Sequence, residues 1–298
     1  MAERVDGPVY FLGNFGTPKL ISIYMVASKK ICLIECGPSS LSEEIFQGLQ
    51  AAGYQPSDID YIVVTHIHLD HAGGAWQLLQ RMPNTRILAL EPGVKHLVEP
   101  SRLRASSSEA LGELARLWGT IEPIDPNRVT AVHDGDTLNL GDAELEFIAT
   151  TGHAPHHMSV LETTTGSMAS GDALGIYYKE WNALIPASPP PSFDLEKALR
   201  NIEELRNRRP RHILLPHYGY TAETESIFDL NLRTYEIWNR FLSGRLRNGY
   251  DVQALLDELA TEFESYRPVV RDPLRRRMMQ VDVEGFSSYL LKREMQAR

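Results

Sequence analysis

The hydrophobic pattern over the first 64 residues predicts β-strands. Short apolar runs at residues 9–12, 21–25 and 30–34 are separated by turns containing glycine or proline, and the run at residues 59–64 is apolar and β-branched. Runs of this length between turn residues are typical of strands, and a run as rich in apolar, β-branched residues as 59–64 is typical of a buried strand. We therefore expect a strand-rich N-terminal region with at least one fully buried strand.

Helical patterns alternate with these strands. Ser40, with Glu43 three residues later, forms a capping-box pattern; apolar residues then recur at helical spacing, and Gly53 marks the helix end. The same reasoning predicts helices at residues 75–82 and 106–118. Taken together, the strands and helices indicate an α/β or α+β fold.

The character of the chain changes after residue 220. Apolar and aromatic residues recur at helical spacing through residues 228–242 and again through 255–263, with a break near residue 250. We expect a catalytic domain over residues 1–220 and a helical C-terminal extension over residues 221–298. The extension would either cover the functional site or mediate dimerisation.

The densest candidate chemistry follows the buried strand at residues 59–64. His66, His68, Asp70 and His71 supply four potential metal ligands within six positions. In an extended chain His66 and His68 point the same way, which suits two ligands on one ion. A turn would then direct the next two ligands to a second ion, and two ions about 3.5–4 Å apart are typical of hydrolytic sites. The alternative is a polar turn whose histidines are bonded to backbone and water.

The segment at residues 65–74 resembles the T-H-x-H-x-D-H-x-G-G motif of the metallo-β-lactamase-fold hydrolase superfamily. Three further motifs of that family occur downstream in the expected order: T-x-G-H at residues 150–153, G-D at residues 171–172, and a late histidine after a strand within residues 213–219. The resemblance implies an αββα sandwich with metals in the cleft between sheet edges. Among the subgroups of this superfamily, the chain most resembles a glyoxalase-II-like prokaryotic subgroup.

The family pattern also implies how the ligands are divided between two ions. It assigns three histidines to the first ion, one aspartate and two histidines to the second, and one bridging aspartate; in that order they are His66, His68 and His153, then Asp70, His71 and His217, then Asp172. These nitrogen and oxygen ligands suit zinc, and equally iron, manganese or cobalt.

A hydrolase mechanism follows from the same resemblance. A metal-bound hydroxide would attack an ester, thioester or lactone carbonyl, with Asp70 as the catalytic residue that orients it. Asp172 disfavours a true β-lactamase, because those enzymes carry Cys or His at the bridging position. Two other activities stay open: phosphodiester or phosphotriester hydrolysis with the same ions, and a mononuclear iron oxygenase resembling persulfide dioxygenases. A site that only stabilises the fold is the non-enzymatic alternative.

The segment that follows Asp172 is a candidate substrate-binding region. Tyr177, Tyr178 and Trp181 begin shortly after the bridging ligand and could line the site. A tyrosine hydroxyl there could stabilise a developing oxyanion. A surface loop stiffened by the prolines at residues 186–191 is an equally good interpretation.

Several positions depart from the family pattern. Glu35 stands where relatives usually carry Asp, as a buttress of the metal-binding loop, and His156 stands where they commonly carry Gly. His157 matches a histidine that supports the site without binding metal. The fold prediction is unaffected, but the geometry behind the ligands is left open.

Composition and charge restrict the classes of ligand that we expect the protein to bind and the cellular compartment in which we expect it. The chain has 298 residues, is 43% hydrophobic and carries a formal net charge of −9, which disfavours nucleic acid as a partner and favours a small-molecule substrate. No apolar stretch is long enough to span a membrane, and no signal peptide is evident, so we expect a cytoplasmic protein. We also expect a homodimer, with the C-terminal helices as its candidate interface. Cys32 and Cys36 would lie roughly 13 Å apart on a strand, too far for a disulfide.

Overall fold

The computed structural model describes residues 2–17, 19–112, 115–246 and 250–296. Two compact units divide the chain. The first unit comprises Met1–Ala149, His156–Gly171 and Arg209–Thr224, and the second comprises Thr150–Pro155, Asp172–Arg208 and Glu225–Arg298.

The strands within the described residues group into three sheets. In chain order they are β1 Glu3–Asp6, β2 Val9–Phe15, β3 Ile21–Ala27, β4 Ile31–Ile34, β5 Tyr61–Val63, β6 Arg86–Leu90, β7 Val129–Val132, β8 Thr137–Asn139, β9 Glu144–Ala149, β10 Met158–Glu162, β11 Ser167–Ala169, β12 Ile176–Tyr178, β13 Ala183–Ile185, β14 His212–Leu214 and β15 Tyr220–Thr221. The strands predicted near residues 9, 21, 30 and 59 are confirmed as β2, β3, β4 and β5.

The helices follow the same order. They are α1 Ser42–Ala51, α2 Leu69–Ala72, α3 Ala75–Leu79, α4 Glu91–Val98, α5 Ser101–Leu111, α6 Ala115–Trp118, α7 Leu195–Asn207, α8 Thr224–Arg245, α9 Val252–Glu262, α10 Arg267–Arg271 and α11 Pro273–Gln296. The helical character predicted for the C-terminal extension is confirmed by α8 to α11 in the residues that the structure describes, and residues 247–249 and 297–298 lie outside them. No helix in the described ranges is long and apolar enough to cross a membrane.

The first unit contains two sheets. One has seven strands in the order β1 to β7, antiparallel from β1 to β4 and parallel from β4 to β7. The other has the order β15-β14-β11-β10-β9-β8, in which only the β11–β14 pair is parallel. Parallel neighbours place the ends of successive strands at one edge of a sheet, which is where the histidine motif begins after β5.

Strand β3 shows how this unit is layered. Ile23 and Met25 belong to a hydrophobic cluster shared with helix residues such as Ile45, whereas Tyr24 and Val26 belong to a second cluster shared with strands of the other sheet. Successive side chains on a strand point to opposite faces, so helices cover one face of the first sheet and the second sheet covers the other. This arrangement is the predicted α/β sandwich.

Two helix predictions need correction. Helix α1 begins at Ser42 with no side-chain cap, and the Ser40 hydroxyl instead donates to the Leu117 carbonyl at 2.6 Å. The capping-box prediction is wrong, because a tertiary partner takes the hydroxyl that a local cap would use. The single helix predicted at residues 106–118 is represented by α5 and α6, and residues 113–114 lie outside the described residues.

The second unit joins the β12–β13 hairpin and α7 to the C-terminal helices. The Tyr266 hydroxyl accepts a hydrogen bond from the Trp238 indole at 3.0 Å and donates to the Leu184 carbonyl at 2.9 Å. The Ser188 amide donates to the Asp282 carboxylate at 2.8 Å. Residues 172–208 thus share a compact unit with the helices, while the predicted domain division at residue 220 stays a prediction.

The two cysteines confirm their predicted state. Cys32 and Cys36 are buried and free. Burial raises the pKa of the Cys36 thiol, and the nearby Glu35 carboxylate raises it further. The Cys36 thiol therefore stays protonated and donates to the His71 carbonyl at 3.1 Å.

Candidate metal centre

Between β5 and α2 the chain of the histidine motif passes through bends at Thr65, His66 and His68. Helix α2 begins at Leu69, and the preceding His68 still has an extended backbone with φ −62° and ψ 154°. The side chains before the helix therefore point differently from those on its first turn. This change of direction is the one expected from the spacing of the motif.

His66 and His68 converge on one point. The Nε2 atom of His66 lies 2.9 Å from the Nδ1 atom of His68, and the two rings are nearly perpendicular, with centroids 4.5 Å apart. Two ring nitrogens that face each other in this way can share one cation. The predicted pairing of these two histidines is consistent with this geometry.

Asp70, His71 and His217 form the second group in the first unit. Each offers one ligand atom, and these atoms lie within 4.8 Å of one another. The Asp70 carboxylate lies 3.5 Å from the Nε2 atom of His71. His71 is fully buried, whereas the Asp70 side chain is 20% exposed, so solvent reaches the carboxylate.

The opposite ring nitrogens of these histidines are held by fixed partners. The Nδ1 atom of His71 lies 3.2 Å from the Glu35 carboxylate, and that of His217 lies 2.5 Å from the Leu20 carbonyl. The Nδ1 atom of His66 lies 3.1 Å from the Thr65 hydroxyl. Such contacts orient metal-binding imidazoles and leave Nε2 to face the ion.

The structure accommodates Glu35 at the position where relatives usually carry aspartate. Glu35 is 2% exposed, has a positive φ of 70°, and accepts a hydrogen bond of 2.5 Å from the Thr65 hydroxyl. The same Oε1 atom faces His71. The longer side chain thus contacts both Thr65, the first residue of the motif, and His71, its last histidine.

The second unit contributes its own histidine and aspartate pair. The Nε2 atom of His153 lies 3.6 Å from the Asp172 carboxylate, and its Nδ1 atom lies 2.9 Å from the Ala187 carbonyl. A Cβ on Gly152 would lie 2.4 Å from the Cα atom of Ala198 on α7. Only glycine therefore permits the close approach of the His153 turn to this helix.

The glycine before Asp172 is required by the residues around it. Gly171 has φ +50°, and a Cβ there would lie 2.5 Å from the Nε2 atom of His157 and 2.8 Å from Thr65. His157 is fully buried, and its ring centroid lies 5.0 Å from that of His66. His157 therefore lies behind the motif, in a position suited to support it.

His156 lies beside the first pair of ligands. Its ring centroid lies 5.4 Å from that of His68 and 6.2 Å from that of His66, and it is half-buried. A Cβ on Gly93 would approach the His156 Cβ to 3.4 Å. The extra imidazole is thus accommodated next to a glycine.

The candidate substrate residues lie on the β12–β13 hairpin. Tyr178 is buried and its ring lies 5.6 Å from that of Trp181, while the Arg275 guanidinium lies 4.9 Å from the Trp181 ring centroid. The Tyr177 hydroxyl donates to the Asn182 side chain at 3.2 Å. The segment is an ordered hairpin rather than a proline-stiffened surface loop, and a contact with substrate stays a prediction.

Sequence reasoning did not find the Leu20 carbonyl, which holds His217 across 197 positions of the chain. A backbone carbonyl carries no signal in the sequence. The same is true of the Ala187 carbonyl that faces His153.

The donor chemistry fits divalent metal ions. Within the first unit the converging atoms are imidazole nitrogens and a carboxylate oxygen, most of them buried. Buried imidazoles that point at one another are more stable around a cation than alone, and these donors suit zinc and other first-row metals. This cluster could therefore bind metal ions.

Known proteins are similar to this chain in sequence and in fold. The chain is 28% identical over 222 residues to the metallo-β-lactamase fold-containing protein ST1585 of Sulfurisphaera tokodaii, covering 72% of this chain and 77% of that protein. It is 28% identical over 185 residues to an N-acyl homoserine lactonase of a Bacillus species, covering 61% of this chain and 64% of that protein.

A solved structure and a family profile agree with these relatives. The metallo-β-lactamase family protein TTHA1429 of Thermus thermophilus superposes with a TM-score of 0.72 at 18% identity, covering 98% of this chain and 95% of that chain. The profile described as the metallo-β-lactamase superfamily matches residues 16–217, which include the whole histidine motif. The chain therefore belongs to the metallo-β-lactamase superfamily.

Proposed function

We propose that this protein is a dinuclear metal-dependent hydrolase that acts on an ester, thioester or lactone carbonyl. The observation that carries the proposal is the presence of two adjacent ligand groups in the first unit. His66 of the first group and His71 of the second have ring centroids 4.0 Å apart. Ligand groups this close to each other could hold two ions side by side, and paired ions about 3.5–4 Å apart are typical of hydrolytic sites.

The proposed ligand set extends these groups with the pair from the second unit. His153 would join His66 and His68 on the first ion, and Asp172 would bridge both ions. Support comes from the order of the family motifs and from the 3.6 Å approach of the His153 Nε2 atom to the Asp172 carboxylate. A carboxylate suits a bridging position, because each of its two oxygen atoms can bind one ion.

The chemistry depends on the ions and on the residues around them. Two bound divalent ions, which we propose to be zinc, would lower the pKa of a water molecule toward neutrality and polarise the substrate carbonyl. Asp70, which is 20% exposed, would accept a hydrogen bond from that water and orient it toward the carbonyl. The contacts of Glu35 and Leu20 keep His71 and His217 in fixed orientations and so limit reorganisation during the reaction.

A carbonyl substrate is favoured by one relative. The Bacillus protein that shares 28% identity over 185 residues is named as an N-acyl homoserine lactonase. A lactone is an intramolecular ester, so the same attack on a carbonyl would serve esters and thioesters. We therefore propose lactones as the first substrate class to test, followed by open-chain esters and thioesters.

The test combines metal content with a substrate panel. Protein purified without added metal should contain about two ions per chain, and the metal-loaded protein should hydrolyse lactones, esters or thioesters faster than phosphodiesters and phosphotriesters. His71→Ala should reduce both the metal content and the hydrolysis. His133→Ala, which removes an exposed histidine outside the motif, is the control and should change neither.

Three results would overturn the proposal. A single iron per chain with oxygen consumption would indicate an oxygenase. Faster phosphoester hydrolysis would place the reaction at phosphorus rather than carbon. Full activity of His71→Ala after chelation would show that hydrolysis does not need the site.

A further inference from the structure

A cavity lies next to the histidine motif in the first unit. Its volume is about 450 Å³, and Leu69, which stands between two proposed ligands, contributes to its wall. Pockets for small molecules commonly measure about 300–1,000 Å³. A substrate held in this cavity would therefore contact the residue at the centre of the metal-binding turn.

The cavity wall combines apolar, hydroxyl and cationic side chains. The described residues that line it include Leu69, Arg104, Ser108, Ala115, Arg116 and Thr120. Both ionisable residues among the described lining residues are arginines. Their positive charge contrasts with the formal net charge of −9 of the whole chain.

Arg104 is fixed in orientation and keeps donors for a ligand. Its Nη1 atom donates to both oxygens of the Glu122 carboxylate at 3.2 Å. Thr120, another lining residue, donates to the same carboxylate at 3.3 Å. A guanidinium has five N–H donors, and the hydrogen bonds to Glu122 engage Nη1, so within the described residues the Nε and Nη2 groups can donate to a bound anion. Arg116 is exposed at the cavity and can adapt to the same anion.

We propose that Arg104 and Arg116 bind a carboxylate group of the substrate, so that the substrate is an anionic ester, thioester or lactone. Arginine binds carboxylates through paired hydrogen bonds, and Leu69 and Ala115 offer apolar surface to the hydrocarbon portion. This inference rests on the proposed hydrolase function. A carboxylate site would make the enzyme selective for anionic substrates. The metal ligands alone do not provide this selectivity, because ions bound to them could act on any carbonyl group.

Matched substrate pairs test the proposal on metal-loaded protein. One pair is 4-nitrophenyl hydrogen glutarate and 4-nitrophenyl pentanoate, which differ in charge on the acyl side. The other is 4-acetoxybenzoate and phenyl acetate, which differ on the leaving-group side. We expect kcat/KM to favour the anionic member of at least one pair by roughly tenfold or more.

Variants assign that preference to the cavity. Arg116→Ala should abolish most of the preference, because it should lower kcat/KM for the anionic substrate and leave that for the neutral substrate unchanged. Arg104→Ala should act in the same direction. Arg102→Ala is the control, because Arg102 is an exposed arginine on the same helix that does not line the cavity. It should keep the preference. Because Arg116 is exposed, its replacement also avoids the loss of packing that Arg104→Ala could cause.

A binding measurement separates this proposal from the proposed function. Glutarate titrated into the protein should bind in calorimetry, and Arg116→Ala should weaken that binding roughly tenfold. Such binding supports the carboxylate site even if no ester is hydrolysed, a result that would sink only the hydrolase. Equal hydrolysis of both members in both pairs would overturn the carboxylate site and leave the hydrolase intact. Glutarate binding that Arg102→Ala weakens as much as Arg116→Ala would also overturn it.

Discussion

The Glu35 carboxylate lies 3.2 Å from the Nδ1 atom of His71, inside a fully buried environment. The two residues are 36 positions apart, and the parallel pairing of β4 with β5 brings their segments together, with Ile34 opposite Val63. The Glu35 carboxylate also accepts a hydrogen bond of 2.5 Å from the Thr65 hydroxyl. One carboxylate therefore orients both ends of the histidine motif.

Glu35→Gln should weaken metal binding. The amide keeps the size of the side chain but loses the negative charge that faces His71, so we expect a 10- to 100-fold lower metal affinity, about the range for such supporting partners. Metal content after competition with a chelator measures the effect. Glu35→Asp should recover part of the affinity, and Glu203→Gln on the exposed face of α7 should behave as wild type. Equal affinity of Glu35→Gln and wild type would contradict the role of this charge.

Gly171→Ala should destabilise the protein and the metal site together. The added Cβ would lie 2.5 Å from His157 and 2.8 Å from Thr65, on a backbone with φ +50°. We expect a loss of about 3 kcal/mol or more in the free energy of unfolding, from overpacking and backbone strain.

Gly53→Ala is the matched control for Gly171→Ala. Gly53 also has a positive φ, +88°, but a Cβ there would meet nothing within 4 Å. Gly53→Ala should lower the free energy of unfolding by only about 1–2 kcal/mol, because only the strain of the backbone changes. Urea unfolding with metal analysis compares the two variants, and similar losses in both would show that the contacts with His157 and Thr65 are unimportant.

Gly285→Ala should disrupt the second unit. A Cβ on this residue of α11 would lie 1.9 Å from the Ser188 carbonyl, so the helix or the chain at residues 188–190 must move. We expect a loss of about 3 kcal/mol or more. Trp238 fluorescence in urea reports the change, because its ring lies 6.0 Å from that of Phe286, the next residue on α11.

Gly244→Ala provides the comparison for Gly285→Ala. Gly244 lies on α8, and among the described residues no atom outside the backbone of its own helix lies within 4 Å of an added Cβ. Alanine favours the helix, so this variant should be neutral or more stable by up to about 1 kcal/mol. A Gly285→Ala protein as stable as Gly244→Ala would refute the close approach.

Tyr266 should make stability fall at alkaline pH. Burial raises the pKa of Tyr266 to about 12 from 10.0, although the hydrogen bond with Trp238 lowers it in part. The unfolded chain therefore releases the phenolic proton first as pH rises. The contribution of the neutral phenol is complete below about pH 10 and disappears as pH rises through about 12, a change of up to about 3 kcal/mol.

Tyr266→Phe tests this dependence. The variant lacks the ionising group, so its urea midpoint should fall less steeply than that of wild type between pH 10 and 12. At pH 8 it should be less stable than wild type, because the Leu184 carbonyl and the Trp238 indole lose their partner. Parallel pH profiles of the two proteins would contradict the assignment to Tyr266.

Local patterns predicted the elements that depend on nearby residues. The apolar runs predicted β2 to β5, and helical spacing predicted the C-terminal helices, because side-chain periodicity is a property of the local backbone. The capping box at Ser40 was wrong for the complementary reason. The hydroxyl of Ser40 has a tertiary acceptor, the Leu117 carbonyl, which lies 77 positions away.

The sequence by itself indicated the family, strands β2 to β5, the C-terminal helices and the candidate ligands, because His66, His68, Asp70 and His71 place four potential metal-binding side chains within six positions. Tertiary structure decided which ring nitrogen each histidine offers. That choice depends on acceptors such as Glu35 and the Leu20 carbonyl, which sheet pairing brings from distant parts of the chain. It also decided that Arg104 and Arg116 share a cavity with Leu69, since no local periodicity relates these positions.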